Sequence, residues 1–326
     1  MKRITVFLIV VLMLSLVLGA CKPAEKAASP KQVAMIIPIP KGDPFITLSY
    51  RGVEKLAEEQ NLEPKLIEAL DKSEYSEQIR AMSEQGANPI YVMWDDLAAE
   101  VLEIAKDFPD TKYIIVDTYA TGDLSNVKTV AVEPQEASFI AGVVAANLSE
   151  TKQVAFIGSM QMPVIDRFRA GFEAGVKYAD NGTSVESLYV GSADDPTKAS
   201  ELTKQLIGKG ADVVMHAANK AGLGVIQAAE QMNVKAIGVD DWQGDLGKTV
   251  VWSALKDITG ATYNAGKSVF DGSFKPGVEI YGINSGISLY DARDYDKLTP
   301  EVKAIVDDVV QKLKNGEITV PTEVQK

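Results

Sequence analysis

The sequence predicts an α/β protein of two similar lobes, each a doubly wound parallel sheet covered by helices on both faces. Three observations carry that prediction. Short β-branched apolar runs alternate with helical patterns along most of the chain, as buried parallel strands joined by crossover helices require. The alternation then restarts. Lys31-Gln32-Val33-Ala34-Met35-Ile36 reappears as Lys152-Gln153-Val154-Ala155-Phe156-Ile157 at an offset of 121, and Gly52-Val53-Glu54 as Gly171-Phe172-Glu173 at 119. Gly86-Ala87-Asn88 reappears as Gly210-Ala211-Asp212 at 124, and the run ending Asp117-Thr118-Tyr119 as the run ending Asp240-Asp241-Trp242 at 123. Four matches in one order at nearly one spacing describe two copies of one lobe, since the period is too long for a solenoid. Finally, about 70 residues follow the second copy, too few for a third lobe. They are expected to cross between the two and form a hinge.

Taken in order, the pattern predicts a strand over 33–37, a helix over 47–60 repeating Leu48, Val53 and Leu56, a strand over 65–69 and a helix over 75–85 ended by Gly86. Pro38, Pro40 and Gly42 punctuate the first loop. A strand over 90–93, a helix over 97–106 and strands over 113–116 and 127–132 complete the first copy, which ends near Glu133-Pro134. A helix over 136–147 leads into the second copy. Beyond it come a strand over 250–255 reaching Lys256, a helix over 258–270, breaks at Asp271-Gly272, Pro276-Gly277 and Gly282, and an amphipathic helix over 300–313.

Composition narrows the function classes. The 326 residues are 46% hydrophobic and 24% charged, ordinary for a globular chain with room for two domains. A formal charge of -12 argues against nucleic acid, whose phosphates call for clustered Lys and Arg. The first residues read separately. Lys2 and Arg3 precede an apolar run over 4–18, shorter than a membrane span, followed by Gly19, Ala20 and Cys21. That is the pattern of a secretory signal peptide, and Leu18-Gly19-Ala20-Cys21 resembles the lipobox at which bacterial lipoproteins are cut and lipidated. It accounts for the single Cys, which would otherwise be a lone thiol in an oxidising compartment. The expected division is a signal peptide over 1–20, a lipidated Cys21 and tether over 21–31, a first lobe of 32–133 plus 254–278, and a second of 134–253 plus 279–326.

Enzyme signatures fail on inspection. The only His, His216, follows a strand and reads as a structural residue, so neither a His-rich metal site nor a conventional triad can be assembled. Gly260 to Gly266-Lys267-Ser268 has five intervening residues where a phosphate loop has four, and it lies in a helical pattern. Gly222-Leu223-Gly224 and Gly208-Lys209-Gly210 lack the third glycine of a dinucleotide fingerprint. Asp95-Asp96 and Asp194-Asp195 stand where helices begin, where carboxylates are favoured without catalysis. No catalytic residue, metal or cofactor is expected.

What remains is a set of rings and polar groups at strand ends, where open α/β sheets bind ligands. Asp43 and Phe45 follow the first strand; Trp94 ends the third, and Asp117 with Tyr119 the fourth. In the second lobe Met160 and Gln161 end the first strand, Asn219 the third, and Asp240 with Trp242 the fourth, while Lys256 closes the return strand. Rings stack, carboxylates accept paired hydroxyls and Lys donates, a set that suits a flat heterocycle joined to a sugar.

Several blocks resemble the basic membrane protein family of bacterial substrate-binding lipoproteins. They are Glu136-Ala137-Ser138-Phe139-Ile140-Ala141-Gly142, Pro163-Val164 through Arg167-Phe168, Gly171-Phe172-Glu173-Ala174-Gly175, Gly210-Ala211-Asp212-Val213-Val214, Gly222-Leu223-Gly224-Val225 and Gly238-Val239-Asp240. The resemblance implies a type I periplasmic-binding-protein fold, two lobes joined by a three-segment hinge that close on ligand. It also implies a stacking role for Phe45, nucleoside-facing roles for Asp117 and Asp240, and a place in the cleft for Lys256. The first loop departs from the family pattern: Asp43 stands one residue closer to the ring, and Ile46 replaces an Asn, while Trp94 and Trp242 add stacking surface. The expectation is a monomeric, lipid-anchored, extracytoplasmic receptor that delivers a purine nucleoside to an ABC transporter permease. Another flat heterocycle or a modified sugar, and a nucleoside-processing enzyme, stand as alternatives. A cytoplasmic regulator of this fold is disfavoured by the signal peptide and the missing DNA-binding head.

Overall fold

The apolar runs become parallel strands because helices cover both faces of each sheet. The structure, a computed structural model, describes residues 31–324. The expected signal peptide, Cys21 and all of the tether but Lys31 lie outside the described residues. The chain divides into two units, Met1–Lys31 and Gln32–Lys326, and the second holds both sheets. Among the described residues no helix is long and apolar enough to cross a membrane.

In the first half β1 (Gln32–Ile37), β2 (Glu63–Glu68), β3 (Ile90–Met93), β4 (Tyr113–Val116) and β5 (Val127–Val132) alternate with α1 (Pro44–Gln60), α2 (Tyr75–Glu84) and α3 (Trp94–Ile104). α4 (Pro134–Leu148) then leads into β6 (Gln153–Gly158), α5 (Pro163–Tyr178), β7 (Ser184–Tyr189), α6 (Pro196–Gly208), β8 (Val213–Ala217), α7 (Gly222–Met232), β9 (Lys235–Asp240) and β10 (Val250–Leu255). α8 (Ile258–Asp271) crosses back to the first lobe, where β11 (Gly277–Tyr281) pairs with β5. α9 (Ala292–Tyr295) and α10 (Pro300–Lys314) return to the second lobe, α9 beside β10 and α10 against α4. Strand order is β2-β1-β3-β4-β5-β11 in one sheet and β7-β6-β8-β9-β10 in the other. Every pairing between strands is parallel. The two sheets therefore share one winding order, and within each sheet all the carboxyl ends lie at one edge.

The chain passes between the sheets after β5, after β10 and after β11, and the crossings are pinned by backbone hydrogen bonds. Glu133 N–H donates to Tyr281 O at 2.9 Å, joining the first crossing to the last, while Lys256 N–H donates to Asp240 O at 3.1 Å, fixing the second crossing to the end of β9. The expected lobe boundary at 278/279 falls inside β11, and that at 253/254 inside β10; strand pairing carries each boundary to the end of its strand.

The duplicated glycines have a packing reason. A Cβ on Gly52 would stand 2.5 Å from Thr259 O, and one on Gly171 2.2 Å from Gln135 O. Each glycine thus lets the helix after its lobe's first strand lie against the helix that follows a crossing, α1 on α8 and α5 on α4. Two expected helix starts move as well. α1 begins at Pro44 rather than Thr47, because proline suits the first helical position and Asp43 Oδ1 accepts the Phe45 and Ile46 N–H groups at 2.9 and 3.3 Å. α3 begins at Trp94 rather than Leu97.

Candidate ligand-binding cleft

Four residues at the carboxyl ends of central strands adopt left-handed backbone conformations: Trp94 at φ +59°, Asp117 at +62°, Asn219 at +50° and Asp240 at +68°. Asp and Asn tolerate this region; a bulky Trp there is an outlier of the kind that marks functional sites. All four are residues that the sequence pattern places at strand ends. They follow β3, β4 and β8 and close β9, with the first loop and Phe45 rising beside them from β1. This is the crevice where strand order reverses and where open sheets take ligands.

Lys256 stands at the centre. It lies on the crossing after β10, is only 2% exposed, and points its Nζ at Asp117 Oδ1, 2.6 Å away. A buried ammonium needs such a partner, since an unpaired one loses its hydration without return. The same Nζ lies 4.8 Å from the centroid of the Phe45 ring, a cation-π contact. Asp117's other oxygen, Oδ2, accepts the Trp94 indole N–H at 3.3 Å. Phe45 and Trp94 stack with centroids 6.2 Å apart and planes inclined by 15°. A third ring between them would need ~7 Å, two van der Waals spacings, so a flat ligand must use an outer face of the pair. The first lobe therefore supplies an apolar wall braced by an ion pair.

Asp240 is different. It is partly buried, and no described residue donates a hydrogen bond to its side chain, although its backbone carbonyl accepts from Lys256. Burial pushes its carboxyl up to about 6; Lys256 pulls it down, while the carboxylates of Asp117, Asp43 and Asp241 push it further up. A carboxylate held in this way has two acceptor oxygens to offer to paired hydroxyl donors.

The other expected site residues are placed less centrally. Asp43 caps α1 and contributes charge rather than a free oxygen pair. Asn219 is exposed in a short turn that lies against α1 across the cleft. Trp242 turns to the second lobe's own flank, with its Nε1 3.0 Å from Asp294 Oδ1 and its ring under the Arg293 guanidinium. Tyr119 stays at the rim with Arg167 5.0 Å from its centroid. His216 is buried, faces Gln243 Oε1 at 2.9 Å, and is held neutral because burial depresses its pKa to about 4. That is the structural role expected of it.

Contacts across the cleft were not visible in the sequence. Arg51 on α1 meets Asp241 beyond β9 at 3.3 Å. Arg167 on α5 joins Tyr119 of the first lobe and Glu133 on the first crossing, the latter at 3.3 Å. Beside it Glu136 accepts the Ile283 N–H at 2.6 Å, tying the first crossing to the last, and burial raises its pKa. Arg167 and Glu136 carry a signal as parts of family blocks, and Tyr119 and Asp241 as parts of the duplicated strand ends, but the contacts themselves carry none.

Comparison with known proteins agrees with this architecture. The family described as "ABC transporter substrate-binding protein PnrA-like" matches residues 31–324. The chain is 29% identical over 286 residues to basic membrane protein A1 of Borrelia garinii subsp. bavariensis, covering 85% of this chain and 84% of that protein. It is 28% identical over 303 residues to the ABC transporter nucleoside-binding protein BmpA of Lactococcus lactis subsp. cremoris, covering 86% and 85%. Among solved structures, an ABC transporter solute-binding protein from Aeropyrum pernix K1 superposes with a TM-score of 0.76 at 21% identity, covering 91% of this chain and 94% of that one. That likeness shows the fold, two parallel-sheet α/β lobes of the type I periplasmic-binding class.

Proposed function

The chain belongs to the family of PnrA-like ABC transporter substrate-binding proteins, and on that premise we propose that its ligand is a purine nucleoside bound between the two lobes. Proteins of this family are extracytoplasmic binding proteins, not enzymes; they hand a captured solute to a transporter permease. The observation that carries the finer reading is the pairing of an unbonded Asp240 carboxylate with a ring wall braced by Asp117 and Lys256. The base stacks on the outer face of the Phe45–Trp94 pair, the sugar diol donates to Asp240, and Lys256 completes the polar edge. Phe45, Trp94, Asp117, Asp240 and Lys256 form the core of the site; Asp43, Asn219 and Trp242 sit at its margin. The name of the Lactococcus relative supports a nucleoside, and so does the donor and acceptor set.

The lobes, 32–132 with the segment from α8 through β11 and 133–255 with the remainder, act as jaws on a three-segment hinge. Ligand selects the closed arrangement by its differential affinity for it. The lipobox-like run Leu18-Gly19-Ala20-Cys21 supports cleavage before Cys21, lipidation of its thiol, and tethering at the outer face of the cell membrane.

Calorimetry of the purified protein with purine and pyrimidine nucleosides, free bases and pentoses tests the ligand. A purine nucleoside should bind with Kd below ~100 μM, roughly -5.5 kcal/mol; absence of any such binding overturns the reading. One observation favours a second ligand class, another flat heterocycle or a modified sugar. Ile46, which stands where the family offers an Asn, is fully buried in the core and has no amide with which to read a base edge. The same panel separates the two.

A further inference from the structure

Trp242 lies only two residues beyond Asp240, yet its indole is clamped from outside the cleft. Its Nε1 donates to Asp294 Oδ1 at 3.0 Å, and the Arg293 guanidinium carbon lies 3.6 Å from its ring centroid. Arg293 is fixed in turn by a two-pronged pair with Asp291, at 2.7 Å from Nε to Oδ1 and 2.7 Å from Nη2 to Oδ2. Asp294 is 0% exposed. Its Oδ2 makes no hydrogen bond to any described residue, and Lys297 reaches only Oδ1, at 3.5 Å. Burying a carboxylate with one oxygen unsatisfied is costly, and covering an indole does not by itself require it.

The consequence of the clamp lies in the adjacent residue. Asp241 Oδ1 accepts the Trp242 backbone N–H at 2.8 Å, which aims Oδ2 outward to Arg51 on the opposite lobe, 3.3 Å away. The loop is thus held at Trp242, and its next side chain back spans the cleft. We infer that Arg293 and Asp294 are positioning residues for ligand capture: by fixing Trp242 they hold Asp241 against Arg51, and that pair latches the two lobes together over the ligand. The inference rests on the cleft being the ligand site and adds the device that governs how long it stays shut. Arg51 and Asp241 side chains are 56% and 52% exposed, so the latch is weak and salt-screened. A receptor that must release its cargo needs a latch of that strength.

The test uses the full-length protein with Arg51→Ala, Asp241→Asn, their double variant, Arg293→Ala, Asp294→Ala and Asp294→Asn. One readout is the dissociation rate of adenosine by stopped flow; the other is the ligand-free radius of gyration by small-angle scattering. Arg51→Ala and Asp241→Asn should each speed dissociation about two- to fivefold, with the double variant no faster than either, because both remove one exposed ion pair. Added salt should speed the wild type and not Arg51→Ala. Arg293→Ala and Asp294→Ala should reproduce the effect. Asp294→Asn, which keeps an oxygen for the indole N–H, should stay within about twofold of wild type on the same scale. Additive effects of Arg51 and Asp241, or wild-type dissociation in Arg293→Ala, overturn the inference. Should no purine nucleoside bind the wild type, the nucleoside reading fails and scattering alone decides; should another purine nucleoside bind in place of adenosine, it replaces adenosine in the dissociation measurement. Larger radii in Arg51→Ala, Asp241→Asn and Arg293→Ala then support the latch, and unchanged radii reject it. Arg293 is exposed, so its variant answers even if Asp294→Ala does not fold.

Discussion

Replacing Asp240 by Asn should stabilise the protein at neutral pH while removing its ligand affinity. The wild-type carboxyl is pushed from an ordinary 3.8 up to about 6, first by burial and then by Asp117, Asp43 and Asp241, with Lys256 opposing. An acid whose folded pKa exceeds its unfolded value binds more protons when folded, so it withdraws stability as pH rises from about 4 through 6. At ~1.36 kcal/mol per pH unit the difference comes to at most ~3 kcal/mol above pH 7. Asn matches Asp in shape and tolerates the left-handed backbone at this position, φ +68°. Asp117 remains to hold Lys256 at 2.6 Å. Denaturant unfolding of both proteins at pH 4, 6 and 8 measures the effect. His216, depressed to about 4 by burial, has the opposite sign: its contribution is present above pH 6.5 and lost as pH falls toward 4. It is common to both proteins and cancels in their difference. The variant should match wild type near pH 4 and exceed it by up to ~3 kcal/mol at pH 8. Equal stability at pH 8, or a deficit of one size at every pH, would refute the reasoning. Such a gain at the expense of binding is what a functional site under electrostatic strain exhibits.

Nucleoside affinity should be level above pH 7 and fall up to about tenfold per pH unit below 6 as Asp240 takes a proton, read by titration at a series of pH values. Lys256→Met should lower unfolding free energy by ~3–5 kcal/mol, because it leaves Asp117 in a buried site without its cation; a change below ~1 kcal/mol would mean that the pair is solvated. Phe45→Leu keeps the core filled at a cost under ~1.5 kcal/mol but should weaken nucleoside binding about tenfold through lost stacking, so calorimetry and melting should diverge. Gly175→Ala should destabilise by ~1–3 kcal/mol without touching the cleft, since its Cβ would stand 2.0 Å from Phe139 O where α5 meets α4.

The parts legible in the sequence are those set by local periodicity and by the duplication. Strands such as β4 and β9 announce themselves as apolar runs ending in Asp, and Asp117 and Asp240 do stand at equivalent strand ends. The matched Gly52 and Gly171 carried a real message, though one about helix packing rather than ligand. Asp43 was harder to read. A carboxylate before Pro44 and Phe45 can face a ligand or cap a helix, and only the backbone geometry of α1 shows the cap. Trp242 looked equivalent to Tyr119 by position; its tie to Arg293 and Asp294 comes from 51 and 52 residues further along, in a stretch that read only as a series of breaks. Arg51 and Asp241 are exposed charges, and Tyr119 is an exposed ring met by a half-buried Arg167; whether such groups meet depends on how the lobes close. No spacing along one chain encodes that.

The most direct measurement is a side-by-side calorimetric titration of the wild-type protein and Asp240→Ala with one purine nucleoside at pH 7.5. The account expects wild-type Kd below ~100 μM and, in the variant, a loss of at least about tenfold, the worth of a charge-assisted hydrogen bond. Equal affinities in the two proteins would put the ligand elsewhere, and no heat from the wild type would remove the nucleoside from the cleft altogether.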